Sequence, residues 1–389
     1  MSPESQPMPM RDDPAATPED ADKNAEEQQG RFYCALQERP ARVFPPGVTR
    51  EREFLINRLS NKWVNGTVLR YYFFDREEDR EKVMLADGTT AWRTWVGGNE
   101  QRDVVRKGFD MWKEVGLGLE FKEVAQREEA EIRIGFMRGD GAWSWLGREI
   151  LDHGPNERTM NFGWDLTRPG ELDTAIHEIG HTLGFPHEHQ NPKAGIEWDE
   201  EAVYAALAKP PNRWDRQRTY WNILRKLPAS EVEGTTWDPD SVMHYPFEKG
   251  LIRKPEQYYE HGLTPAGGLS PKDKSWAKAL YPSLRGVQEQ ELKPAQSVLL
   301  SIGPGEQRNF VVLPKETRYY EFQTFGRSDS VMVLFEDDNG ELRYRTADDD
   351  SGQDTNAYFR YKLIKDRRYV VRVRMYYSDR PGETAVMMW

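Results

Sequence analysis

The sequence predicts an α+β domain built around one metal-gripping helix, followed by an all-β sandwich. Three observations predict it. The stretch His177-Glu178-Ile179-Gly180-His181-Thr182-Leu183-Gly184-Phe185-Pro186-His187 fits H-E-x-x-H-x-x-G-x-x-H. From about residue 63 to 283, segments of strand period and helix period are mixed. Beyond residue 296 only short strands remain, separated by Gly, Pro and Asp turns.

Residues 1–30 hold eight acidic and two basic residues and no aromatics, so they carry −6 of the chain's net −11. Such a segment cannot bury enough apolar surface to fold, and reads as a disordered acidic tail. Residues 31–62 form an N-terminal segment, a possible pro-segment. Val68 to Phe74 reads as a strand, and Val105, Phe109 and Trp112 recur at i, i+4 and i+7 as the buried stripe of a helix. Ile132, Ile134 and Phe136 alternate with Glu131, Arg133 and Gly135, which predicts a half-buried strand. Trp143 and Trp145, within Asp140 to Gly147, read equally as packing residues or as part of a binding edge.

Next comes the helix of the motif. Leu172, Ile176, Ile179 and Leu183 form a core-facing stripe that anchors the histidines from behind. Residues four apart on a helix share a face, so His177 and His181 can grip one ion together. Glu178 lies beside the first ligand. Gly184 lets the chain leave the helix at a backbone angle other residues resist, bringing in His187. Three protein ligands leave zinc an open position, which marks a catalytic rather than a structural site. His153, His189, His244 and His261 are expected to be solvated or structurally hydrogen-bonded.

Residues 190–240 are a long insertion rich in Trp, Pro and charge, expected to wall the cleft and set selectivity. Leu269 to Asp273 opens a short helix ending near Tyr281-Pro282. Residues 284–295 read as a linker to a domain at 296–389. Its strands are expected at Ser297 to Ile302, Asn309 to Leu313, Tyr319 to Thr324, Val331 to Phe335, Tyr369 to Met375 and Thr384 to Met388. This spacing indicates a β-sandwich. Asp348, Asp349 and Asp350 are either a calcium loop or, more commonly for acidic turns, solvated.

Composition sets outer bounds. The chain has 389 residues, 13 tryptophans and 31% charged residues, enough for two cores and a soluble surface. No apolar run approaches the roughly 18 residues needed to span a bilayer. The acidic balance argues against nucleic acid. Residues 1–30 lack the apolar core of a secretory signal, and a single cysteine fits either a reducing compartment or a disulfide-free exported protein. Asn65-Gly66-Thr67 is a formal glycosylation sequon. The compartment and oligomeric state stay open. Cys34, the lone cysteine, is expected to pack as a small hydrophobe.

Downstream of the helix, Ser241-Val242-Met243-His244-Tyr245 resembles the Met-turn of metzincins. With His187-Glu188-His189, it makes residues 63–283 similar to the astacin-like zinc metallopeptidases, one branch of that clan. The resemblance implies a twisted sheet with an active-site helix, and zinc held by His177, His181 and His187. Glu178 would be general base and acid, Met243 an apolar floor, and Tyr245 a fifth ligand that also stabilises the oxyanion. The segment at 140–147 would be the sheet edge that pairs with extended substrate, and the helix before Tyr281 the one that closes the domain. Two departures stand out. Gln190-Asn191-Pro192-Lys193 replaces the family's basic and acidic continuation, and one cysteine allows no internal disulfide. Whether Glu188 holds a processed N-terminus, as in that family, is open.

Some metzincin pro-segments hold a cysteine against zinc, which gives Cys34 a second reading. Phe325 to Val331, followed by Asp348 to Ser351, resembles the pre-peptidase C-terminal type of accessory domain. The activity implied is zinc-dependent endopeptidase action on protein or peptide substrates, and exported relatives suggest an extracellular setting. The alternatives are a zinc-containing binding or adhesion protein working through its sandwich, and a zinc amidase acting on a non-protein amide.

Overall fold

A computed structural model describes residues 33–36, 61–63, 65–85, 88–228, 236–283, 289–377 and 380–389. The expected acidic tail and most of the 31–62 segment lie outside the described residues. The chain is an α+β domain followed by an all-β sandwich.

The first domain opens with β1 (Val68–Phe73) and a hairpin of β2 (Arg80–Met84) and β3 (Thr90–Thr94). Helix α1 (Asn99–Glu114) follows, then β4 (Glu120–Glu123), β5 (Ile132–Gly135), β6 (Trp143–Ser144) and β7 (Met160–Asn161). The main sheet runs β4-β1-β5-β7-β6, parallel except for β6, its antiparallel edge. That places the expected edge strand at an edge.

Central β5 differs from the expected half-buried strand, because all four of its residues are buried. Parallel sheets are covered on both faces. Arg133 tolerates this because its guanidinium donates to the carbonyls of Ala130, His153 and Glu157.

Helix α2 (Leu172–Thr182) carries the motif and packs on α1. Val105, Phe109 and Trp112 face inward, and Gly108 leaves room for Ile179. Trp112 Nε1 donates to the Ile176 carbonyl at 2.9 Å. Ile176, Ile179 and Leu183 are fully buried, as the stripe predicts.

The insertion holds β8 (Glu197–Trp198), α3 (Glu200–Leu207), α4 (Arg216–Thr219) and a π-helical turn at Tyr220–Leu224. β9 (Ile252–Lys254) pairs with β8 before α5 (Glu256–His261). Helix α6 (Pro271–Leu280) closes the domain, with Ser270 and Asp273 forming a capping box.

In the sandwich, β10 (Glu289–Glu291), β12 (Gln307–Val312), β17 (Arg368–Met375), β14 (Ser330–Asp338) and β15 (Glu341–Asp348) form one sheet. β11 (Val298–Ile302), β18 (Gly382–Met388), β13 (Arg318–Phe325) and β16 (Tyr358–Leu363) form the other. All six expected strands are present. The expected linker is not all linker: β10 pairs with β12, and Leu292 is buried in the sandwich core. β15 and β16 escape a reading based on apolar alternation because charged residues dilute it.

The two domains touch directly. Glu341 on β15 pairs with Arg70 on β1 and accepts from Lys122 Nζ at 2.7 Å. Gly66, at φ +89°, leaves room for the buried Arg372 guanidinium of β17. Asn65 is buried and donates to the Pro282 carbonyl, so in this fold the sequon is not exposed for glycosylation.

Candidate metal centre

The C-terminal end of α2 is fixed by aromatic side chains. Its last carbonyls have no intrahelical partners. Trp63 Nε1 donates to the Thr182 carbonyl and the Tyr281 hydroxyl to that of Leu183, both at 2.6 Å. Gly184 then turns the chain at φ +91°, in the left-handed region that glycine favours, and His187 swings back over the helix.

Two of the three histidines are oriented by backbone carbonyls. His177 Nδ1 lies 2.7 Å from the Val242 oxygen, and His181 Nδ1 2.7 Å from that of Phe185. A carbonyl only accepts, so each Nδ1 carries the proton and each Nε2 presents a lone pair inward. His181 Nε2 and His187 Nε2 are 3.1 Å apart, and His177 Nε2 is buried with no partner. Burial drives the His177 pKa down to about 4 and those of His181 and His187 well below the usual range, aided by their neighbours. Neutral imidazoles with converging lone pairs are what a metal requires.

A fourth donor joins them. Cys34, His177, His181 and His187 bring their ligand atoms within 4.8 Å of one another. Cys34 Sγ is 3.5 Å from both His181 Nε2 and Glu178 Oε2. Tetrahedral zinc with ordinary bond lengths separates its nitrogen and sulfur ligands by about 3.3–3.6 Å. The donor set fits zinc. Cys34 is buried, as expected of a small hydrophobe, but its sulfur faces the histidines. Its role at the site was the second of the two sequence readings. Burial and the Glu178 carboxylate both push its thiol pKa up.

Glu178 is fully buried, its carboxyl pushed up to about 8 by desolvation despite the bond from Cys34. Its Oε1 has no partner. Met243 packs its sulfur against Gly180, beneath the histidines and outside the donor cluster. The Met-turn is tied down by Asp273 of α6, whose carboxylate accepts from Ser241 Oγ at 2.6 Å, Val242 N at 2.9 Å and Ser270 N at 2.9 Å. Glu188 N donates to the Met243 carbonyl at 2.9 Å, while Glu188 Oε1 accepts from Asp238 N and Asn191 Nδ2. Glu188 thus clips the third histidine to the turn.

The Tyr245 hydroxyl lies 2.5 Å from His187 Nε2. The other histidines stay out of the cluster. His189 bonds to the Asn222 carbonyl, His244 to that of Tyr245, His153 stacks on Trp145, and the His261 side chain is 79% exposed. The aspartates read as either a calcium loop or a solvated acidic turn do not gather into an ion site among the described residues. Asp348 spends its carboxylate on Ser351 N, Ser351 Oγ and Tyr358 N.

Sequence reasoning missed Asp273 as an anchor, although its S-x-x-D spacing from Ser270 is a capping signal. It also missed Tyr33, for which the only local hint is an aromatic pair preceding the lone cysteine.

The family model for the astacin peptidases matches residues 95–250. Protein SpAN of Strongylocentrotus purpuratus is 30% identical over 150 residues, 37% of this chain and 21% of that one. Bone morphogenetic protein 1 of Xenopus laevis is 28% identical over 200 residues, 48% of this chain and 25% of that one. The chain therefore spans about a quarter or less of these curated relatives. Among solved structures, myroilysin is 30% identical, with 58% of this chain and 97% of that chain covered and a TM-score of 0.48.

Proposed function

The chain belongs to the astacin family of metallopeptidases, and we propose that it is a zinc-dependent endopeptidase held closed by its own N-terminal segment. The observation that carries this reading is the convergence of three buried imidazoles beside an unpartnered carboxylate oxygen.

Zinc at this site would supply a Lewis acid and bring the pKa of a water towards about 7. His177, His181 and His187 would hold it. Glu178, with an unpartnered oxygen in the site, takes a proton from the attacking water and returns it to the leaving amine. The Tyr245 hydroxyl donates to the peptide carbonyl oxygen as it gains negative charge. Met243, Asp273 and Glu188 keep the third histidine and the turn in register.

Cys34 supplies the closure. Its sulfur occupies the place where a fourth ligand belongs, 3.5 Å from the Glu178 carboxylate that must reach water. Its carbonyl accepts the Tyr245 hydroxyl at 2.7 Å. One residue thereby engages the metal site, the base and the oxyanion donor. Such a protein would act outside a reducing cytosol on protein substrates, as the family resemblance suggests.

The test is hydrolysis of an unstructured protein such as casein by the zinc-loaded full chain carrying Cys34→Ala, beside the same chain carrying Cys34→Ala and Glu178→Ala. Cleavage by the first alone supports the reading. Equal cleavage by both, or none by either at one zinc per chain, overturns it.

A further inference from the structure

Tyr33, Cys34 and Ala35 lie across the site as a bound peptide does. Ala35 N donates to the Ala142 carbonyl, one residue before edge strand β6. Cys34 sits at the metal cluster. Tyr33, only 6% exposed, fills an aromatic pocket beside it.

The pocket is specific in shape and chemistry. The Tyr33 ring stacks on Phe247 at 5.8 Å and 25°, and meets Tyr245 edge-on at 5.2 Å. Trp214 closes the third side at 6.3 Å. The Tyr33 hydroxyl donates to the Pro246 carbonyl at 3.1 Å, while Tyr33 N donates to Asn212 Oδ1 at 3.0 Å. Side-chain recognition is thus apolar with one acceptor at the base, and backbone recognition is separate.

Two of these walls, Phe247 and Trp214, are held independently of Tyr33. Phe247 exchanges both backbone hydrogen bonds with Leu263, and Trp214 N donates to the Leu207 carbonyl. A pocket built by the Met-turn's own continuation and by the insertion persists when the N-terminal segment leaves.

We infer that this pocket is the enzyme's specificity pocket and selects substrates with an aromatic side chain at a position flanking the cleaved bond, tyrosine and phenylalanine foremost. Tyr33 occupies it as an internal mimic. A charged side chain there would be desolvated against three aromatic rings, and is disfavoured. Removing Trp214 opens one wall and weakens the choice. Removing Asn212 takes away a backbone contact and affects all sequences alike.

The inference rests on the peptidase reading, and the experiment separates the two. The full chain carrying Tyr33→Ala and Cys34→Ala, which clears pocket and metal site, is given peptides that differ only at the positions flanking the scissile bond. At one of these positions, Tyr and Phe are expected to exceed Asp and Lys in kcat/KM by about tenfold or more. Adding Trp214→Ala should cut that advantage to about threefold or less at unchanged zinc content, and Asn212→Ala should raise KM for every peptide. If Trp214→Ala loses zinc, Trp214→Leu is read in its place. Cleavage with no aromatic preference, or a preference that survives the loss of Trp214, overturns the inference alone. No cleavage of any peptide overturns the peptidase reading and the inference with it.

Discussion

The Tyr245 hydroxyl donates to the backbone carbonyl of Cys34 at 2.7 Å while lying 2.5 Å from His187 Nε2. A single phenol therefore links the N-terminal segment to the third histidine. Once that segment leaves, the hydroxyl is free to turn to a substrate oxygen. Tyr245→Phe, made in the Cys34→Ala chain, is expected to lower kcat by about 100- to 1,000-fold, the range for losing one oxyanion donor. Zinc content should stay at one per chain, since three histidines remain. Unchanged kcat would remove Tyr245 from the chemistry.

Asp273 accepts three buried hydrogen bonds, two from the Met-turn and one from Ser270 at the start of the closing helix. Asp273→Ala strands those donors and removes one half of the capping box of α6. The expected cost is about 2–3 kcal/mol, or about 5–10 °C in melting temperature by calorimetry. Zinc should also be lost faster to a chelator, because Val242 positions His177. A surface-like change of under 1 °C would contradict this.

Gly180 gives a prediction of opposite sign to the usual rule. Replacing a mid-helix glycine by alanine ordinarily stabilises by about 1 kcal/mol. Here the new methyl would meet Met243 Sδ, which leaves no space for it. Gly180→Ala is therefore expected to destabilise by up to about 2 kcal/mol, the overpacking cost of about 1–3 kcal/mol less the helix gain, read from urea midpoints.

Chelation should reveal the cost of an empty cluster. In metal-free protein, burial holds His177 and His244 at pKa values of about 4, below the roughly 6.5 of the unfolded chain. At these two groups the unfolded state binds more protons, so their contribution to stability is full above about pH 6.5 and is lost as pH drops towards 4, while the buried Glu178 and Glu188, raised to about 8 and about 7, contribute the opposite slope. Melting temperatures of chelated protein are therefore expected to change less favourably on acidification across this window than those of its His244→Gln variant. Parallel profiles for the two chains would show that His244 is not held neutral by the fold.

Much of this arrangement is legible in the chain. The zinc helix, its apolar stripe, the Gly184 exit and the Met-turn are local signals, and each lies where its spacing predicts. What escapes is long-range. Arg133 reads as the exposed side of a strand because nothing local shows that three carbonyls await it. The sequon at Asn65 looks exposed until the Pro282 carbonyl, 217 positions away, is brought against it. Cys34 reaches His181 across 147 positions, and a lone cysteine carries no motif to announce that. The β15 and β16 strands are hidden by charged residues that alternate poorly.

The most direct measurement is casein hydrolysis by the zinc-loaded, full-length wild-type chain beside its Cys34→Ala variant, at equal zinc content. The account expects the wild type to be silent or at least about tenfold slower, since release of one tightly held ligand governs access to the site. Equal rates in both chains would contradict it, and would leave Cys34 as no more than a buried neighbour of the metal.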